Sequence, residues 1–261
     1  MNDAPAAPIS VKGQVPRISI RGVSKHFFDI ARSQEVVALH DIDLEIGPSE
    51  FLTIIGPSGC GKSTLLNVIA GFEQASTGSV QLDGKPITQP GPDRGVVFQE
   101  YALFPWLTVR NNVAFGLREQ GVPARERHAK VFEQIQAVGL LGFEDRYPHE
   151  LSGGMRQRVA IARVLVTDPK SLLMDEPFAA LDAQTRSVMQ QELLAVWQRN
   201  QRSVVFITHN IEEAVFLGDR VVVMATRPGR IKNIMPIDLP RPRDVTSPEF
   251  NKYRRDIGAL L

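Results

Sequence analysis

Ile42, Leu44 and Ile46 alternate with Asp41, Asp43 and Glu45, the two-residue period of a strand with one buried face. The stretch GSVQLDG, Gly78 to Gly84, reads as a second short strand ending in an Asp-Gly turn. Together they predict a small antiparallel sheet near the N-terminal end. The texture then changes to compact apolar runs at 51–55, 95–98, 171–174, 204–208 and 220–225, with helical spacing between them. Short, wholly apolar strands alternating with helices predict a buried, largely parallel sheet. Lys62 to Phe72 and Met155 to Leu165 carry helical patterns, and the spacing from Gln99 to about Asp168 predicts an inserted helical subdomain. After Ala225, TRPGRI predicts a turn, and LPRPRD, Leu239 to Asp244, is too rich in proline for regular structure. The expected organisation is a flexible tail over 1–16, one main domain over 17–240 with the helical part at about 100–168, and a short tail over 241–261.

Composition narrows the class. The chain has 261 residues, enough for one sizeable core and a smaller subdomain. Its 43% apolar and 23% charged residues fit an ordinary globular protein. A formal charge of +1 argues against a strong electrostatic footprint for nucleic acid or acidic lipid. One cysteine, Cys60, permits no internal disulfide and suits a reducing compartment. No apolar run approaches the roughly 18 residues of a membrane span, so any membrane contact is expected to pass through a partner. The first sixteen residues carry three prolines and Asp3 and lack an apolar core segment, unlike a signal peptide.

The strongest chemical signal is GPSGCGKST: Gly56, Pro57, Ser58, Gly59, Cys60, Gly61, Lys62, Ser63 and Thr64. It follows an apolar run and opens a helical pattern, the strand–loop–helix context of a P-loop. Its glycines let backbone N–H groups curl around phosphate oxygens. Lys62 is placed to reach the β and γ phosphates, and the Ser63 hydroxyl to ligate Mg²⁺. Cys60 reads either as a reactive thiol or simply as a small residue in a tight loop.

Downstream, SLLMDEP (Ser171 to Pro177) is an apolar strand ending in two acids. Beside a P-loop, Asp175 is placed to hold Mg²⁺ and Glu176 to polarise an attacking water. Gln99 and His209 each follow an apolar run, so both are expected at the carboxyl edge of the parallel sheet, where ligands bind. A third feature is ELSGGMRQRVA, Glu150 to Ala160. Ser152 is a natural N-cap there, and Gly153 and Gly154 leave the first helical N–H groups bare, which makes an anion site. No acid that could bind Mg²⁺ lies beside it in sequence.

In their order along the chain these motifs resemble the ATP-binding subunits of ABC transporters, over about Ile18 to Ala225. GPSGCGKST is similar to the family's Walker A, Gln99 to its Q-loop glutamine, and LSGGM to its signature. LLMDE resembles Walker B, AALD (Ala179 to Asp182) the D-loop, and His209 the switch histidine. Phe27, in VSKHF, sits where the family stacks an aromatic ring on adenine. The resemblance implies an α/β fold: a P-loop NTPase core with an N-terminal antiparallel β-subdomain and an inserted helical signature subdomain. It implies ATP and Mg²⁺ as cofactors, with Ser63, Gln99 and Asp175 at the metal and Glu176, His209, Gln99 and Lys62 in hydrolysis. It also implies a head-to-tail homodimer in which Ser152, Gly153, Gly154 and Asp182 serve the other copy's ATP. Met155 departs from the glutamine more frequent in the family.

A finer likeness rests on EYALFPWLTVRNNV, MATRPGRI and LPRPRD, which look like the nitrate/sulfonate/taurine group of bacterial importers. That group implies a transmembrane permease, a periplasmic solute-binding protein, and a peripheral place on the cytoplasmic face of the cell membrane. Phe104, Pro105, Trp106 and Leu107 are then expected in a groove for the permease. Trp106 reads equally well as core at the subdomain boundary. The alternative class is a soluble ABC ATPase acting on DNA or the ribosome. Such proteins join two cassettes or insert a long coiled coil, and this chain has neither, nor a basic patch for nucleic acid.

Overall fold

A computed structural model describes residues 15–30, 33–200 and 202–261, with the side chain of Asn200 also outside the description. Of the tail expected over 1–16, residues 1–14 therefore lie outside the described residues. Strands β1 (Ile18–Asp29), β2 (Gln34–Ile46) and β3 (Phe51–Ile55) lead to helix α1 (Lys62–Ala70), then to β4 (Thr77–Leu82), β5 (Lys85–Pro86) and β6 (Arg94–Val97). Helices α2 (Val109–Glu119), α3 (Ala124–Ala137) and α4 (Gly153–Leu165) follow, then β7 (Ser171–Asp175) and α5 (Ala183–Asn200). The chain closes with β8 (Ser203–Thr208), α6 (Ile211–Leu217), β9 (Arg220–Ala225), β10 (Arg230–Pro236) and α7 (Pro248–Gly258). Two compact units result, 1–91 with 202–261 and 92–201.

The first unit carries two sheets. β2, β1, β4 and β5 form an antiparallel sheet in that order. Ile18, Ile20, Leu44 and Ile46 are buried on its inner face, paired as Ile18 with Ile46 and Ile20 with Leu44. In the other sheet β3 runs parallel to β8 on one side and β9 on the other, and β10 is antiparallel to β9. Every residue of β3 and β8 is buried. Strands covered on both faces need no polar alternation, which is why they read as continuous apolar runs. Phe51 and Phe206 pack with ring centroids 5.9 Å apart between these neighbours.

The second unit pairs β6 with β7 in parallel and gathers α2, α3 and α4 around a core of their own. Val109, Val113 and Leu117 recur every fourth residue along α2 and meet Val131 and Ile135 of α3 and Val159 and Ala162 of α4. Such spacing lines one helical face. Met155 packs against this cluster, so an apolar side chain suits the place where glutamine is more frequent. Gly95 lets β6 meet α4, since a Cβ there would sit 2.2 Å from Val164 Cγ1. No helix among the described residues is long and apolar enough to cross a membrane.

Three elements escape the sequence pattern. β1 shifts register between Ile20, Val23, Lys25 and His26, and each bulge breaks the two-residue period. β10 begins inside the segment read as a turn. The segment read as a short tail holds α7, whose Phe250 and Ile257 are fully buried. The turn before β10 is also a structural support. Gly229 accepts a backbone bond from His40 N at 2.8 Å. A Cβ on Gly229 would lie 2.4 Å from both Ala38 O and Cys60 O, so the turn sits directly against the loop that follows β3. Main-chain oxygens cannot swing aside as a side chain can. Gly229→Ala is expected to destabilise the fold by about 1–3 kcal/mol, as overpacking does, and to weaken nucleotide binding. Thermal unfolding and nucleotide titration check this, and wild-type values in both would refute the support role.

Candidate functional site

The loop 56–61 is built by exclusion of side chains. A Cβ on Gly56 would lie 2.7 Å from Cys60 Sγ and from Met224 O. Gly61 has φ 90, the left-handed region that favours glycine, and a Cβ there would meet Ala38 O at 2.8 Å. Gly61 is also the N-cap of α1 and provides no side-chain acceptor, so the first N–H groups of this helix are left for a ligand. Pro57, Ser58, Gly59 and Ser63 are exposed. Lys62 is buried along its stem and its ammonium donates to Gly56 O at 2.9 Å and Pro57 O at 3.1 Å, which aims the charge into the loop. Cys60 is 0% exposed, and burial pushes its thiol pKa up. Of the two sequence readings of Cys60, this favours the small residue in a tight loop.

Phe27 belongs to the same unit. It pairs with Val36 across β1 and β2, is 39% exposed, and has the Lys25 ammonium 4.8 Å from its ring centroid. The ammonium is itself held by Glu73 at 2.8 Å and Gln74 O at 2.9 Å, so it braces the ring, and the exposed part of the aromatic face is what can stack on a base. His209 follows β8 and is exposed. It shares a cleft of about 690 Å³ with Asn251 and Arg254 of α7. Its backbone is held from both sides: Thr208 Oγ1 donates to the buried Glu213 carboxylate and accepts from Asn210 N at 3.0 Å. Thr208 and Glu213 were missed by the sequence reading, although TH and EEA both flank the histidine.

The second unit holds the remaining candidates. Asp175 ends β7, and Glu176 follows with φ 45. A left-handed glutamate costs about 1–3 kcal/mol and such strain concentrates at functional sites. The turn after it is tied by Ala179 N to Glu176 O at 3.1 Å and by Arg186, which donates to Leu181 O at 2.8 Å. Asp182 is exposed and accepts from Thr185 N at 2.9 Å, capping α5. Hydrogen bonds from Thr185 hold its carboxyl below the usual range.

Ser152 caps α4 as expected, accepting from Met155 N at 3.3 Å. That leaves the Gly153 and Gly154 amides at the mouth of the helix. A Cβ on Gly154 would meet Thr185 Cγ2 at 2.8 Å, whereas one on Gly153 would find Tyr101 Oη at 3.3 Å and Leu181 Cδ2 at 3.6 Å. Gln99 is exposed beyond the end of β6. The segment after it is locked to α4, because Arg163 donates to Ala102 O at 2.6 Å and Arg156 lies 5.5 Å from the Tyr101 ring centroid. Fully buried Asn112 then pins the next turn. Its side chain accepts from Phe104 N at 2.9 Å and donates to Phe104 O, Leu107 O and Thr108 O. Trp106, at the crest of this turn, is 70% exposed, which removes the core reading.

The structure thus places Phe27, the P-loop and His209 in one unit, and Gln99, the signature glycines, Asp175, Glu176 and Asp182 in the other. Among the described residues no cluster of three or more His, Cys, Asp or Glu side chains could hold a metal. A hydroxyl and one carboxylate beside phosphate oxygens are the donors Mg²⁺ ordinarily takes, and Ser63 and Asp175 are of those types.

Comparison with known proteins agrees with the family resemblance. Residues 39–179 match the family model described as ABC transporter. The nitrate import ATP-binding protein NrtD of Synechocystis is 49% identical over 241 residues, 89% of this chain and 91% of that protein. The aliphatic sulfonates import ATP-binding protein SsuB of Bacillus cereus is 46% identical over 240 residues, 92% of this chain and 94% of that protein. Among solved structures, the dimeric post-hydrolysis state of the ATP-binding cassette MJ0796, bound to ADP and Pi, superposes with a TM-score of 0.75. It is 31% identical and the match covers 85% of this chain and 99% of that one. The chain belongs to the ABC transporter family, as an ATP-binding subunit with the P-loop NTPase fold that hydrolyses ATP.

Proposed function

We propose that this ATPase powers an importer for a small anion such as nitrate, a sulfonate or taurine, working through a separate permease. The observation that carries this reading is the likeness along nearly the whole chain to ATP-binding subunits named for nitrate and sulfonate import. A periplasmic binding protein selects the solute, and the subunit sits peripherally on the cytoplasmic face of the cell membrane.

In this reading Phe27 stacks on the adenine, the P-loop amides hold the phosphates, and Lys62 reaches the β and γ phosphates. Ser63, Gln99 and Asp175 would hold Mg²⁺, which would supply charge neutralisation for the phosphates. Glu176 accepts a proton from the attacking water, whose oxygen bonds to the γ-phosphorus as the bond to the β-phosphate oxygen breaks. His209 hydrogen-bonds the γ-phosphoryl oxygens. The second copy lies head to tail, so that Ser152, Gly153 and Gly154 close over the first copy's γ-phosphate and Asp182 lines the same seam. Exposure of Trp106, on a turn fixed by Asn112, supports this turn as the permease contact.

Three experiments test the reading. Glu176→Gln is expected to keep ATP binding and to lose about 10²–10⁴-fold in turnover, the usual cost of a missing base. Near-normal steady-state hydrolysis would remove Glu176 from the mechanism.

The trans assignment is checked by mixing Lys62→Ala with Gly153→Asp. Gly153 is the better position because Thr185 leaves little room at Gly154, and the new carboxylate repels a docking phosphate. Each variant alone makes a homodimer with both composite sites damaged. A mixed dimer has one site carrying both lesions and one intact, so ATP-dependent cross-subunit crosslinking should return. No recovery on mixing would assign the signature to its own chain's nucleotide.

Trp106→Ala should leave the melting temperature and isolated ATPase unchanged while weakening permease assembly by about 2 kcal/mol or more, as for a buried aromatic anchor. Undiminished co-purification with the permease would place the contact elsewhere.

A further inference from the structure

The proline-rich segment after β10 does more than end the domain. Arg243 is 6% exposed and makes five hydrogen bonds, all to main-chain carbonyls. Its Nη1 donates to Val215 O at 2.6 Å, Phe216 O at 3.2 Å and Gly218 O at 2.6 Å. These are carbonyls at the C-terminal end of α6, which have no acceptor role within the helix. Its Nη2 and Nε reach Ile237 O and Leu239 O. Burial, with Arg241 nearby, lowers the Arg243 pKa to about 10, so the group stays charged at neutral pH. A cation at this end also suits the helix dipole.

Arg241 makes a second clasp beside it. It donates to Leu217 O and pairs with Asp219, whose other carboxylate oxygen accepts from Phe51 N at 2.9 Å. Phe51 starts β3, the strand that delivers the P-loop. Thr53, also on β3, donates to Ala214 O at 3.2 Å in the middle of α6. The opposite end of α6 carries the His209 turn, capped by Asn210 and tied through Thr208 to Glu213. α6 has only seven residues, so a shift or rotation at its last turn is carried to its first. α7 adds a side contact, Arg254 to Glu212 at 3.3 Å.

We propose that Arg243, with Arg241, is a positioning residue for hydrolysis: it fixes the far end of α6 and thereby sets where His209 stands relative to the P-loop strand. The inference rests on the reading of His209 as a catalytic group. A planar fork spanning several carbonyls cannot be replaced by a point charge, so Lys at this position should act only in part. The C-terminal segment is then part of the catalytic apparatus and not an appendage.

The test uses full-length Arg243→Lys, Arg243→Met and Arg241→Gln. Melting temperature and the stoichiometry of nucleotide binding measure the folded fraction. Displacing a catalytic group by about 1 Å can cost about 10²-fold, so kcat per folded molecule should fall by about 10–100-fold in Arg243→Met. KM for ATP should stay within about 2-fold, because the P-loop is untouched, and Arg243→Lys should recover part of the loss. Histidine side-chain NMR gives the direct readout, with the His209 resonance assigned from His209→Gln. In Arg243→Lys and Arg241→Gln that resonance should move or broaden while those of the other four histidines stay. An unmoved His209 resonance, or unchanged kcat per folded molecule in the variants that fold, overturns the proposal. Failure of the underlying reading looks different: His209→Gln itself would retain full hydrolysis.

Discussion

Backbone amides that bind phosphate must stay bare, yet the backbone behind them must be buried and fully bonded, and most of this structure answers to that conflict. Around the P-loop the answer is steric. Gly56 lies against Met224 O, Gly61 against Ala38 O, and Gly229 against both Ala38 O and Cys60 O, so much of the loop is shaped by main chain pressed on main chain. The all-buried β3 delivers the loop from below, and the parallel strands on both sides of it hold its end fixed. A loop shaped this way can offer N–H groups to a ligand without collapsing onto itself.

Helix capping separates the termini that can take an anion from those that cannot. α6 has its first donors taken by Asn210, whose side chain accepts from both Glu212 N and Glu213 N. α2 and α7 use Thr108 and Ser247, each accepting a single bond, from Asn111 N and Phe250 N, and α7 adds Glu249 in its first turn. α3 lacks a side-chain cap but has Glu126 in its first turn, a resident negative charge. α1 has neither a side-chain acceptor nor an acid in its first turn. α4 is capped as α2 is, with Ser152 satisfying only Met155 N and no acid in the first turn of either helix. Of these helices α1, which follows the P-loop, leaves its first donors most open to an external anion, and α4 differs from α2 in opening on two glycines, Gly153 and Gly154, that put no side chain over its first amides.

Much of this is legible in the residues. Continuous apolar runs locate β3, β7, β8 and β9 to within a residue, because strands buried on both faces have no other composition available. Glycine clusters locate the α1 and α4 termini, through the left-handed backbone of Gly59 and Gly61 at the first and the close approach of Thr185 to Gly154 at the second. What escapes does so for physical reasons. β1 hides behind bulges that scramble its period. α7 is short and carries charge on most of its surface, so two buried residues, Phe250 and Ile257, are too few to mark a face. The exposure of Trp106 depends on Asn112, six residues on, and an asparagine in a helical pattern announces no such role. Gly229 reads as an ordinary turn glycine because its reason for being glycine is Cys60, far away in sequence.

Arginine is the residue whose purpose the sequence hides most completely. Loops that carry functional side chains leave carbonyl groups without strand or helix partners, and a buried carbonyl without a donor is costly. The chain meets this repeatedly with guanidinium groups. Arg163 serves Ala102 and Tyr101 beyond Gln99, Arg156 serves Leu151 before the signature, and Arg186 serves Phe178 and Leu181 after Glu176. Arg241 and Arg243 serve the end of α6. Five donors in a rigid plane can bond several carbonyls at once, which an ammonium cannot do with the same fixed geometry. Desolvation lowers the pKa of both Arg163 and Arg243, yet a group whose ordinary pKa exceeds 12 can bear such a shift and remain charged. A lysine buried in the same places would lose its proton far more readily. The high intrinsic basicity of arginine is therefore what allows these loops to be held by charge inside the protein, where water cannot be relied on to do it.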